Sequence, residues 1–154
     1  MELMAGFGES WRSDADALRE LGFRHILFLC VANSARSQMA EGIALALAPA
    51  GVRVSSAGSE PASVRSQAVA ALAEVGIDIS GHYSKGVADV ARPVDAVVTL
   101  CAEELCPVWL EDAHRVHWGL PDPAAAVGSP QEQLDAFRAV RDELHRRLSV
   151  VFGR

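Results

Sequence analysis

The stretch His25-Ile-Leu-Phe-Leu-Cys30, continuing as Val31-Ala-Asn-Ser-Ala-Arg36-Ser37, decides how this chain is read. A nearly continuous apolar run that ends in a polar loop is the pattern of a strand buried on both faces of a parallel sheet. The loop runs directly into a helix predicted over 37–47, with Met39, Ile43, Ala44 and Leu47 on one stripe and a stop before Pro49.

Outward from this unit, strand and helix signals keep alternating. Val52-Arg-Val-Ser-Ser56 reads as a second strand closed by Ala57-Gly58, and helix signals over 63–75 end at Gly76. Ile77-Asp-Ile-Ser80 reads as a short extended piece and 86–91 as a weak helix. Asp95-Ala-Val-Val-Thr-Leu-Cys101 is a third strand and Arg115-Val-His-Trp118 a fourth. Ser129-Pro-Gln-Glu132 carries a cap, a proline at the first helical position and a glutamate two further on. The helix it opens is expected to reach Phe152, with Leu134, Phe137, Val140, Arg141, Leu144 and Leu148 on its mostly apolar stripe. Residues 1–24 read as an N-terminal helical extension, in which Ser13 caps a helix ending at Gly22, and 25–154 as the main domain. Such alternation implies one three-layer α/β domain, with a parallel sheet and the site beyond the C-terminal strand ends.

Composition narrows the class. With 154 residues and 50% hydrophobic content the chain can bury one sizeable core. Fourteen basic against twenty acidic residues give a net charge of −6, which argues against a general nucleic-acid binder but leaves room for a small anion site. Three cysteines are too few for a disulfide scaffold, and no secretory signal is read in the first residues. The longest apolar run, around 42–52, is broken by Pro49 and Gly51 and falls short of the roughly 18 residues a membrane helix needs. A cytoplasmic protein without membrane contact is expected.

The chemistry lies in Cys30-x5-Arg36-Ser37. A loop between a strand end and a helix N-terminus aims successive N–H groups at one point, where the helix dipole favours an anion. Val31, Ala32, Asn33, Ser34 and Ala35 supply that loop, and Arg36 adds a planar fork suited to a tetrahedral oxyanion. The same positive surroundings favour the Cys30 thiolate, to which Ser37 is placed to donate a hydrogen bond. Asn33 is a residue type that tolerates a left-handed backbone. The bland reading, a small core hydrophobe and a surface charge, competes for Cys-x5-Arg alone but loses in this strand–helix setting.

Residues 30–42, Cys-Val-Ala-Asn-Ser-Ala-Arg-Ser-Gln-Met-Ala-Glu-Gly, resemble the arsenate reductases built on the low-molecular-weight protein tyrosine phosphatase fold. The likeness continues in Ser56-Ala-Gly58, Val75-Gly-Ile-Asp-Ile-Ser80, Val97-Val-Thr-Leu-Cys101, His117-Trp-Gly119, Asp122-Pro-Ala124 and Phe137-Arg-Ala-Val-Arg-Asp-Glu143, over roughly 25–150. It implies a four-stranded parallel sheet with helices on both faces. It also implies that Cys30 takes arsenate, that Cys101 attacks Cys30 and expels arsenite, and that Cys106 then attacks Cys101. The alternative chemistry of the fold is hydrolysis of a phosphocysteine, as in the phosphatases. The Cys101-x4-Cys106 segment is two residues shorter than the family's usual spacing, leaving less chain for the third thiol to move.

Asp122, stiffened between Pro121 and Pro123, is by resemblance the general acid that protonates the leaving oxygen. Phosphatases of this fold usually place tyrosine after Asp-Pro; Ala124-Ala-Ala126 stands here, which suits a small inorganic oxyanion better than phosphotyrosine. In potassium-dependent reductases of the family a cation beside the loop is held by an asparagine, a glutamate, a serine and an aspartate. Asn33, Glu41 and Ser56 match the first three, but Ser84-Lys85 stands at the aspartate's position, so an ammonium is expected where the potassium would sit. The five histidines have no metal-ligand spacing and read as structural or surface residues, the tryptophans as packing. The resemblance implies no bound cofactor and no metal. It implies a monomer that draws electrons from an external thiol, thioredoxin first, with mycothiol or glutathione and glutaredoxin as other candidates.

Overall fold

A computed structural model describes residues 9–102 and 105–154. The segment 1–8, where no signal was expected, and Glu103 and Glu104 between the paired cysteines lie outside the described residues. Four strands, β1 (His25–Cys30), β2 (Arg53–Gly58), β3 (Ala96–Thr99) and β4 (His114–His117), form one sheet in the order β2-β1-β3-β4. All three pairings are parallel, and the register sets Leu29 beside both Ala57 and Thr99. The order reverses between β2 and β3, so the crevice at the end of β1 is the topological switch point.

Side chains alternate across the sheet. Ile26 and Phe28 of β1 face the main core, where α1 (Trp11–Leu21), α2 (Arg36–Leu47), α3 (Ser66–Ala73) and α4 (Pro130–Phe152) contribute Leu18, Met39, Ile43, Leu72, Phe137 and Leu144. Leu27 and Leu29 face the other way, onto Val90, Val94, Val97 and Trp109. All six β1 residues are buried, as an apolar run in a central parallel strand requires. Truncating Phe28 to alanine would cost about 3–5 kcal/mol in such a place.

Several boundaries differ from expectation, each for a local reason. The described helices that feed the core all pack on one face; the second face is closed by extended segments and a 3-10 turn, Val87–Asp89, where a helix over 86–91 was expected. Gly86 caps that turn through the Asp89 carboxylate, and Val90 turns inward. β2 continues through Ala57 and Gly58, because the Gly58 N–H donates to the Lys85 carbonyl at 2.9 Å. α3 starts three residues late because the Arg65 N–H is taken by the Ser34 carbonyl. Residues 77–80 join no strand; the Asp78 carboxylate instead accepts from the Ser80 N–H. β3 is shorter than 95–101, and β4 begins one residue earlier than expected.

Two helix ends are as the sequence implies. α4 carries the reciprocal Ser129–Glu132 capping box with proline in its first turn. Gly22 ends α1 in the left-handed region, φ 66°. Ser13, however, lies inside α1 with its hydroxyl donating to the Ser10 carbonyl, so it does not cap the helix. α1 is no loose appendage: Trp11, Ala15 and Leu18 belong to the main core. Arg141, expected on the apolar stripe of α4, instead binds Glu74 and the Ala71 carbonyl. The buried pair Glu143–Arg147, one turn apart, is the polar feature of α4 that the stripe did not announce.

Candidate active site

The carbonyls of the loop after β1 are bound from outside. Val31, Ala32 and Ser34 accept hydrogen bonds from the N–H groups of Glu60, Ala62 and Arg65. Because each peptide is planar and trans, the N–H following a carbonyl points the opposite way. The N–H groups that follow those carbonyls, of Ala32, Asn33 and Ala35, therefore turn away from these outside partners, near the N-terminus of α2. There a cavity of about 170 Å³ is lined by Cys30, Val31, Ala32, Ser34, Ala35, Arg36 and Asp122. Donors converge, a helix dipole points in, and among the described residues Asp122 is the only acidic one in the lining.

Cys30 is buried and is the free cysteine of the chain. Its sulfur lies 2.9 Å from the Ser37 hydroxyl. The Asn33 side-chain amide donates to that same hydroxyl at 2.7 Å, leaving the hydroxyl proton for the sulfur. Asn33 adopts φ 50°, the left-handed conformation its short polar side chain tolerates. Its amide also donates to Ser56 at 3.0 Å, and the Ser56 hydroxyl donates to Glu41. Glu41 faces Lys85, whose ammonium is 3.8 Å away and donates to the Tyr83 carbonyl at 3.1 Å. The Lys85 backbone N–H donates to Asn33 Oδ1 at 2.9 Å. Asn33, Glu41, Ser56 and Lys85 thus form one connected brace under the loop.

Three members of this brace escape the sequence reading. Gln38, fully buried, donates to Asn33 Oδ1 and to the Tyr83 carbonyl. Ser84 donates to the Asn33 carbonyl at 2.7 Å. Gly58 must be glycine, since a Cβ there would lie 2.3 Å from the Val31 carbonyl oxygen. The available signals were a glutamine directly after Ser37, where a helix turns inward, and a glycine closing a buried strand.

Arg36 is buried, and its Nη1 donates to the Leu120 carbonyl at 3.0 Å and the Leu100 carbonyl at 3.5 Å. These bonds tie the guanidinium to the chain beyond β3 and β4. Asp122 caps the 3-10 turn Pro123–Ala125 by accepting from the Ala124 N–H, which holds its carboxylate over the same cavity. Among the described residues no aromatic side chain lines the cavity. The chain's single tyrosine, Tyr83, lies outside that lining and largely in solvent.

Beyond β3, the Leu100 N–H donates to the Leu29 carbonyl, so Cys101 emerges beside Cys30 on the same sheet edge. Cys101 is buried and is joined to the more exposed Cys106 by a disulfide, with 5.6 Å between Cα atoms. A five-residue separation is therefore enough chain for that bond. Among the described residues no group of three or more His, Cys, Asp or Glu could hold a metal ion. No described helix is long and apolar enough to cross a membrane.

A buried thiol at a strand end, in an oxyanion loop closed by arginine and overlooked by an aspartate, defines a cysteine-nucleophile α/β protein of the phosphatase type. The sequence places it further: residues 25–152 match the profile of the low molecular weight phosphotyrosine protein phosphatases, and the chain belongs to that family. Its relatives there include the arsenate reductase of Bacillus subtilis, 45% identical over 126 residues, covering 80% of this chain and 91% of the relative. Among solved structures, the arsenate reductase of Archaeoglobus fulgidus superposes with a TM-score of 0.71 at 30% identity, over 84% of this chain and 99% of that one. The thioredoxin-dependent arsenate reductase of Corynebacterium glutamicum does so with a TM-score of 0.58, again at 30% identity, over 90% and 70% of the respective chains.

Proposed function

We infer that the chain reduces arsenate to arsenite by a thiol relay, with residues 25–154 as the catalytic domain and 1–24 as an extension of it. The observation that carries this reading is the Cys101–Cys106 disulfide on the same sheet edge as the free Cys30. A hydrolytic phosphatase needs the first thiol only; a reductase needs a second thiol to deliver the electron pair and a third to carry the resulting disulfide away from Cys30. The relatives named arsenate reductase support the same choice.

In this mechanism Arg36, Ser37 and the N–H groups of residues 31–35 hold arsenate in the cavity. The Cys30 thiolate attacks arsenic, and Asp122 protonates the oxygen that leaves as water. The Cys101 thiolate then attacks the Cys30 sulfur. The sulfur–arsenic bond breaks, its electron pair stays on arsenic, and arsenite departs. Cys106 attacks Cys101, releasing the Cys30 thiolate and moving the disulfide toward the surface. An external dithiol of the thioredoxin type, whose use is named for the corynebacterial neighbour, restores the two thiols. The reaction needs no bound cofactor, suits a reducing cytoplasm, and is complete within one monomer.

Arsenate-dependent NADPH oxidation tests the reading, coupled in parallel to thioredoxin with its reductase, to glutathione with glutaredoxin, and to mycothiol. Turnover with thioredoxin is expected. Hydrolysis of an aryl phosphate that survives loss of Cys101 and Cys106, without arsenate turnover in any system, would instead establish the phosphatase reading.

A further inference from the structure

Arg36 and Asp122 are both held by one segment, residues 118–122, and that segment rests on α1. Beyond β4 the Trp118 N–H donates to the Thr99 carbonyl at 2.8 Å and the Leu120 N–H to the Leu100 carbonyl at 3.0 Å. The Leu120 carbonyl then accepts from Arg36, and Asp122 stands over the cavity two residues later. What anchors this segment from behind is the buried Trp118 side chain.

Trp118 meets Trp11 of α1 edge to face, with ring centroids 6.5 Å apart and planes at 89°. The Arg147 guanidinium lies 5.5 Å from the Trp11 ring and 5.6 Å from the Trp118 ring, and is itself paired with buried Glu143 at 2.7 Å. Neither indole N–H has a hydrogen-bond partner among the described residues, so packing and ring contacts orient the two side chains. Beside them is a cavity of about 170 Å³ whose lining includes Ser10, Trp11, Asp14, His117, Trp118 and Arg147. The Trp11 ring is thus one wall of a space into which Trp118 could otherwise settle. Nothing in the family match requires this wall, since that match begins at residue 25.

We propose that Trp11 is a positioning residue for oxyanion binding: through Trp118 and the Leu120 carbonyl it fixes the Arg36 guanidinium over the Cys30 loop. The proposal rests on the reading of that loop as an oxyanion site, and its test uses inorganic phosphate so that reductase turnover is not needed. Calorimetric titration of the reduced full chain compares wild type, Trp11→Leu, Trp11→Phe and Phe23→Leu. Phe23 is the control: it makes an edge contact with Phe152 at 5.8 Å, elsewhere in the same core.

Trp11→Leu is expected to raise the phosphate Kd roughly five-fold or more, the lower end of ordinary coupling between sites. Trp11→Phe keeps an aromatic edge and should stay near the wild-type Kd, while Phe23→Leu should lower the melting temperature and leave the Kd alone. A folded Trp11→Leu with wild-type Kd would overturn the proposal, as would an equal rise in Phe23→Leu. Should Trp11→Leu fail to fold, Arg147→Met removes the cation between the rings and keeps its stem. A raised Kd supports the proposal and an unchanged one overturns it. Tight phosphate binding without any arsenate turnover would sink the reductase reading and leave this one standing.

Discussion

Ser37 is the second residue of α2 and holds its hydroxyl 2.9 Å from the Cys30 sulfur, and the Asn33 amide fixes which way that hydroxyl points. A hydrogen bond to a charged partner is worth about 1.5–3 kcal/mol, so Ser37→Ala should slow the Cys30 attack roughly 10- to 100-fold. Single-turnover kinetics with saturating arsenate measure this step. Wild-type rates in that variant would mean the hydroxyl does not stabilise the thiolate.

Arg36→Lys keeps the charge but loses the fork, and it also loses the Leu120 anchor in its present geometry. Arsenate kcat/KM should fall by about 100-fold or more, in line with removal of a preorganised oxyanion donor. Kinetics close to wild type would show that Arg36 does not clamp the substrate.

Lys85 sits 3.8 Å from Glu41 and braces Asn33 through its backbone N–H. A protonated lysine is never a ligand, and it repels a second cation nearby. Exchanging potassium for sodium at fixed ionic strength should leave both activity and melting temperature unchanged. Lys85→Asp should make both depend on potassium. A wild type clearly activated or stabilised by potassium contradicts the internal-cation reading.

Away from the site, Glu74 at the end of α3 accepts from Arg138 and Arg141 of α4. The hydrogen bonds from Arg138, then those from Arg141, hold its carboxyl at about 2, below the ordinary 4.5. A folded-state value lowered in this way stabilises the protein above about pH 4.5, and the benefit is lost as pH falls toward 2. Exposure keeps the effect small. Glu74→Gln should therefore melt slightly lower than wild type at neutral pH, with the gap closing between pH 4.5 and 2. A gap that stays constant across that window would show that the ion pairs do not link the two helices.

The centre of the molecule was legible because local signals and tertiary demands agree there. The run 25–30 is apolar since β1 is buried on both faces, and Ser129-Pro-Gln-Glu132 caps a helix that needs no partner to start. Cys30 and Arg36 could be named from their strand-to-helix loop and Asp122 from the family resemblance, and the structure brings all three to one cavity. Where partners distant in sequence decide, the reading failed. Gly58 looked like a strand terminator but continues β2 by bonding to Lys85, and α3 starts late because Ser34 claims the Arg65 N–H. Gln38 offered only its place after Ser37 and Ser84 only its place before Lys85; their bonds to Asn33 follow from that residue folding back between them. The tryptophans read as packing, but which surfaces Trp11 meets, Trp118 and Arg147, is set by the fold alone.

The relay itself is tested most directly by one turnover without reductant. The fully reduced protein receives a single equivalent of arsenate, is quenched in acid, alkylated, digested and mapped by mass spectrometry. The account predicts a Cys101–Cys106 disulfide with Cys30 alkylated, and in Cys106→Ser a trapped Cys30–Cys101 bond. Arsenite released while all three cysteines remain alkylated, or a Cys30–Cys101 bond that persists in the wild type, would contradict it.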